Sequence, residues 1–215
     1  VTTVLCQLCC QVHAVQERTE EVVRISAERG FPVFLAYGTA LRGWALAAQG
    51  RQDEGLRQME EGVAASRSVG GAPMLSHLLT SLAEAYGWAG QVEGALSLLD
   101  EALSRAEATG GCYCQAEHYR LKGETLLKKG EEVEAEACFE QAVDVARRQQ
   151  ARSWELRAAT SLARLWHKQG KQKEARELLA NVYGWFIEGF GTADLQEARG
   201  LLDVLARDHQ AEARD

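Results

Sequence analysis

Gly50, Gly90, Gly130 and Gly170 stand 40 residues apart, inside the related segments AAQGRQDEGL, GWAGQVEGAL, LKKGEEVEAE and HKQGKQKEAR. A second series, Gly30, Gly70 and Gly110, keeps the same step, and Gln150 occupies the place of its fourth member. A glycine just past a helix supplies the left-handed backbone that closes the last turn, so two interleaved series mean two helix ends in every period. The predicted unit is a helical hairpin, and its repetition at a fixed step predicts a solenoid.

Taken in order, residues 3–13 read as one helix and Gln16–Arg29 as a second, with Val22, Val23, Ile25 and Ala27 on its apolar side, giving a partial hairpin over 1–30. Hairpins follow over 31–70, 71–110, 111–150 and 151–190, all within a single domain spanning 1–215. Pro32 and Pro73 sit where first helices begin, a position that tolerates proline because its missing N–H has no partner there. Ser153 is the expected N-cap of the hairpin at 151–190, whose second helix should run from Gln172 to about Ile187. Beyond Gly189 and Gly191, Thr192 can cap a last helix over 192–208 that carries Leu195, Ala198, Leu201, Leu202 and Leu205 on one face and covers the end of the array.

Each unit also repeats a pattern of sizes. Seven residues before each turn glycine stand Gly43, Ala83, Gly123 and Ala163, and four before it Leu46, Tyr86, Leu126 and Trp166. Five residues after it stand Gly55, Ala95, Ala135 and Ala175, and nine after it Met59, Leu99, Phe139 and Leu179. This alternation of small and large residues resembles the tetratricopeptide pattern, in which close-approaching helices need a small residue beside a large one. The resemblance implies an all-α, right-handed α-solenoid of tetratricopeptide-like (TPR) hairpins, here with helices about a turn longer than usual, closed by a C-terminal capping helix.

The runs AEHYRLKGETLL and AEACFEQAVDVARRQQARSWELRAATSLARLWHKQGKQKEARELLANVYGWFIEGFGTADLQEARGLL are similar to the C-terminal repeat region of bacterial multidomain signalling proteins. In these, an adenylate or guanylate cyclase domain or another signalling module precedes an AAA-type ATPase and then helical repeats. The resemblance covers roughly residues 16–205 and concerns the repeats alone. No GxxxxGK[ST] phosphate loop occurs, and no cyclase carboxylate pair can be placed. At Gly111-Cys112-Tyr113-Cys114 the chain departs from the family's pattern. The implied role is a regulatory or scaffolding segment acting in cis on an ATPase or cyclase domain of a longer cytoplasmic protein. A chain opening on Val1 fits a piece of such a protein.

In such repeats the first helix of each hairpin lines a concave groove. The glycine phase places there Tyr37, Ala40 and Trp44; His77, Thr80, Glu84 and Trp88; Glu117, Arg120, Glu124 and Lys128; and Arg157, Thr160, Arg164, His167 and Lys168. The groove is expected to be aromatic at one end and basic at the other. It would then suit a protein or peptide with an apolar anchor and an acidic or C-terminal carboxylate end. The same residues also fit an ordinary solvated face. A small-molecule sensor regulating an upstream ATPase or cyclase is the alternative reading, and it requires a deep enclosed pocket.

Other chemistry finds little support. Cys6, Cys9 and Cys10 share one helix face and Cys112 and Cys114 flank a turn, spacings that suit apolar packing of reduced thiols better than a zinc site. The five histidines form no metal motif, and neither a GxSxG elbow nor a catalytic Cys-His signature appears. No catalytic residue, metal or cofactor is expected. A net charge of −7 argues against nucleic acid, and no run of apolar residues is long enough to span a membrane. The apolar start, VTTVLCQLCCQV, lacks the basic lead-in of a signal peptide. With no polar cap there, the N-terminal hairpin is expected either to continue into further chain or to pair with a second copy.

Overall fold

The computed structural model describes Gln7, residues 11–70, 72–108 and 113–212, with the side chains of residues 72, 73 and 209–212 left aside. Among these residues every regular element is helical: α1 (Val12–Arg29), α2 (Pro32–Ala48), α3 (Gln52–Ser68), α4 (Ala72–Trp88), α5 (Val92–Ala108), α6 (Gln115–Lys129), α7 (Glu132–Arg148), α8 (Arg152–Lys168), α9 (Gln172–Tyr183) and α10 (Ala193–Glu212). The elements form an α-solenoid of consecutive hairpins. The helices starting at Val12, Gln52, Val92, Glu132 and Gln172 follow one another at the 40-residue step read from the glycines.

The turns show why. Gly30, Gly50, Gly70, Gly90, Gly130 and Gly170 all have φ between 69° and 89°, and Gln150 takes the same left-handed conformation at φ 55°. Gln150 is the one residue other than glycine with positive φ among those described. Gly110 lies outside the described residues, as do most of residues 3–13 and Cys6, Cys9, Cys10 and Cys112.

The chain divides into two compact units, Val1–Gly111 and Cys112–Asp215. In the first, α2 and α3 pack backbone to backbone. A Cβ added to Gly62 would lie 2.6 Å from the Ala40 nitrogen, and one added to Gly43 would lie 2.6 Å from the Gly55 carbonyl oxygen. That approach gathers Leu41, Trp44, Met59 and Val63 with Leu75, Leu78, Leu79 and Leu82 of α4 into one core. In the second unit Phe139 fills the space that Gly123 leaves, since a Cβ there would meet the ring at 2.5 Å. Ala135, Phe139, Ala175 and Leu179 are fully buried, as the pattern of sizes requires.

Several local expectations are corrected. Residues 13–16 form no turn: α1 starts at Val12 and runs through them. Its buried side is Val15, Thr19 and Ser26, whereas Ile25 and Ala27 are exposed. The Thr19 hydroxyl donates to the Val15 carbonyl at 2.9 Å, which makes a polar residue compatible with that side. Ser153 is no cap: α8 starts one residue earlier, at Arg152, with Ala151 in the N-cap position. Helix α9 stops at Tyr183, several residues short of Ile187, and residues 184–192 form a loop with Gly189 at φ 77°. The last helix extends past residue 208 to Glu212.

Candidate functional site

The first helices of the hairpins are α2, α4, α6 and α8, and the predicted groove residues are taken unit by unit. In the first unit they knit α2 to α4. The Tyr37 hydroxyl lies 3.1 Å from His77 Nδ1, the Trp44 indole N–H donates to Glu84 at 2.8 Å, and the Trp44 and Trp88 rings tilt against each other at 5.9 Å. Ala40 and Thr80 are core residues rather than groove residues, and Trp44 and His77 are buried too. Tyr37 and Glu84 stay half-buried, and Trp88 is exposed. Gln7 also reaches α4: it is buried, and its amide N–H donates to the Ser81 hydroxyl at 2.9 Å.

In the second unit the groove residues form a charge network. Glu117 accepts both the Nε and an Nη of Arg120 at 2.8 and 2.7 Å, and Arg157 reaches the same carboxylate at 3.4 Å. Burial alone would push the Glu117 carboxyl up, but Arg120 and Arg157 override it and hold the group below its usual range. Burial likewise opposes the charge on Arg157, and Glu117 and Asp194 outweigh it, raising the guanidinium's affinity for its proton. Glu124 sits 3.5 Å from Arg120 and accepts from the Ser161 hydroxyl at 2.7 Å. Thr160 is core.

The expected open basic end is therefore not what the structure shows. Arg157 donates to Asp194 at 2.8 Å, Arg164 pairs with Glu197, and His167 Nε2 lies 2.8 Å from Asp208. All three acidic partners belong to α10. That helix packs on both α8 and α9, burying Leu195, Ala198 and Leu205. Only Lys128 and Lys168 of the predicted cations stand exposed. The sequence held only a coarse signal for this: α10 begins about one period after α8, but Asp194 and Glu197 lie 37 and 33 residues beyond Arg157 and Arg164, off the 40-residue step.

Near the C-terminal ends of α4 and α8, aromatic residues bond the preceding hairpin. The Tyr86 hydroxyl donates to Glu60 at 2.7 Å, and the Trp166 indole donates to Glu136 at 2.7 Å, where Lys171 also donates at 2.8 Å. Burial, with the Glu60 bond and charge added, pushes the Tyr86 phenol up to about 12. Cys114 Sγ lies 3.3 Å from His118 Nε2, both buried. Among the described residues no cluster of three His, Cys, Asp or Glu side chains could hold a metal, and no helix is long and apolar enough to cross a membrane. Two surface hollows, of about 610 Å³ beside Gln11–Ala14 and about 340 Å³ along α9, are lined by none of the groove residues.

Residues 73–148 match the model of the tetratricopeptide repeat family. The chain is 32% identical over 124 residues to an uncharacterised protein of Rhizobium meliloti (strain 1021), a match covering 57% of this chain and 12% of that much longer protein. Its fold is similar to BtubC (BKLC) from P. vanneervenii, with TM-score 0.69, 14% identity, and 96% of this chain and 92% of that one covered. It is also similar to Bacillus thuringiensis PlcR in complex with the peptide PapR7 and DNA, with TM-score 0.64, 12% identity and coverage of 96% and 72%. A further likeness is to nearly identical TPR-like repeats from Podosopora anserina, with TM-score 0.59, 23% identity and coverage of 85% and 90%. At these identities the structures speak for the fold.

Proposed function

We propose that the chain is a non-catalytic interaction module that binds a peptide or partner domain along the faces of its first helices, as a regulatory segment of a longer bacterial signalling protein. The observation that carries this reading is the two-sidedness of those helices. On α8, Leu156, Ala159, Leu162 and Ala163 make the core, whereas Arg157, Arg164, His167 and Lys168 line the other side. Half-buried charges are costly to hold and contribute little to stability, but they are well suited to choosing a partner. The exposed Lys128 and Lys168 suit an acidic segment or a C-terminal carboxylate, with Trp88 as an apolar contact in the first unit.

Two further points support the reading. PlcR, of similar fold, is a peptide-bound protein, an analogy at the level of fold. The Rhizobium relative is far longer than this chain, which suits a segment of a multidomain protein; the cyclase or ATPase neighbour rests on the resemblance of the repeat region.

Fluorescence anisotropy with a labelled acidic peptide carrying a free C-terminal carboxylate tests the proposal. Wild type should bind it in a salt-sensitive manner, and Lys128→Glu combined with Lys168→Glu should weaken binding about tenfold. Equal binding by wild type and variant would remove the groove from the account.

A further inference from the structure

The loop at 184–192 interrupts the plan that the other hairpins keep. Second helices α3, α5 and α7 each run 17 residues, but α9 has 12. At the place of Ile187 the three preceding repeats carry Arg67, Glu107 and Arg147, all charged, and the first carries the small Ala27. Here the helix has unwound and the side chains turned apolar: Trp185 is 62% exposed, Ile187 90% and Phe190 46%.

The loop is nevertheless well braced. The Phe186 N–H donates to the Tyr183 carbonyl at 3.1 Å, the Thr192 N–H to the Gly189 carbonyl at 2.9 Å, and the Tyr183 and Phe190 rings pack 6.0 Å apart. A braced loop that holds large apolar groups in water has the form of a contact site rather than of a connector.

Its surroundings say what it would contact. The Arg152 guanidinium lies over the Trp185 ring, 4.0 Å from its centroid. Arg152 and Arg147 share a single buried carboxylate, Glu155, at 2.8 and 2.9 Å, and Arg148 stands exposed beside them. Against these three arginines stand Glu155 and the loop's own Glu188, so the corner keeps a positive balance in a chain whose net charge is −7.

We infer that the 184–192 loop and the adjoining arginines at the α7–α8 turn form a second docking surface, distinct from the first-helix faces. Its partner is an acidic amphipathic helix of another protein. Ile187 and Trp185 enter between the apolar residues of that helix, and its carboxylates meet Arg148 and Arg152. The stacked guanidinium is already oriented by Trp185, so little freedom is lost when the acidic group arrives.

The test uses the full chain and a fluorescein-labelled helical peptide with leucines on one face and glutamates on the other. Wild type should bind it, and the pair Trp185→Ala and Ile187→Asp should weaken binding about tenfold or more. Lys128→Glu combined with Lys168→Glu should leave it unchanged, which separates this surface from the groove. Both loop side chains are exposed, and matching thermal melts will show that the variant keeps its fold. Unchanged binding by the loop variant would overturn the inference. So would tighter binding of the same peptide with lysines in place of glutamates, loop-dependent co-sedimentation with phosphatidylglycerol vesicles, or a wild-type dimer in sedimentation velocity that Ile187→Asp dissociates.

Discussion

Gln150 adopts a backbone conformation that its own Cβ opposes, at a cost of about 1–2 kcal/mol, because the forty-residue step puts a helix end there. Gln150→Gly removes that opposition and should raise the unfolding free energy by about 1 kcal/mol, net of the extra freedom glycine has when unfolded, as measured by urea denaturation. Tyr86 gives a pH signature. Its folded pKa of about 12 lies above a phenol's ordinary 10.0, so its contribution to stability is complete below pH 10 and is lost as the pH rises toward 12. Denaturation midpoints of wild type should fall between about pH 9 and about pH 11 by more than those of Tyr86→Phe; parallel falls would show that the Glu60 bond is immaterial. At this scale the sequence was most legible where backbone geometry dictates the residue type. The glycine series marked the left-handed turns, including the position where glycine is absent. The pairing of Arg157 with Asp194 was not legible, because helix spacing tells which side a residue faces and not which neighbour answers it.

Among elements, α10 departs furthest from what its sequence suggested. Its leucine stripe reads as a lid over the end of the array. In the structure it stands one period beyond α8 and supplies Asp194, Glu197 and Asp208 to the α8 face, as the first helix of another hairpin would. Its own Leu205 is fully buried, so Leu205→Ala should destabilise the second unit by about 2–4 kcal/mol, visible as a lower thermal midpoint. A loss below about 0.5 kcal/mol would mean that α10 is only loosely attached. Helix α9 teaches the complementary lesson. Periodicity carried it to Ile187 because apolar residues continue in step, but periodicity counts apolar positions without knowing whether anything lies opposite them. The chain leaves the helix after Tyr183, and Trp185 and Ile187 stand exposed.

At the scale of the whole molecule, the solenoid resolves into two compact units. Stability in such arrays comes from each hairpin and its nearest neighbours, so a unit that keeps both should fold by itself. A fragment of residues 112–215 is expected to show helical circular dichroism and a cooperative thermal transition. A gradual, featureless melt would mean that the second unit depends on the first. The fold class was legible at this level because one step length governs the chain. The proposed groove was legible only as a set of positions, since most of its charged residues pair with others of the chain.

Hydrogen bonds that join first helices pair unlike residues: tyrosine with histidine, tryptophan with glutamate, glutamate with arginine, and arginine with aspartate. Each hairpin thus carries an address. If a block were duplicated by recombination, Arg157 would stand beside Arg157 and Glu117 beside Glu117, repelling where they now attract. A chain whose step length makes copying easy is guarded by its rungs against being lengthened with copies of itself, and against stacking out of register on another molecule of its own kind.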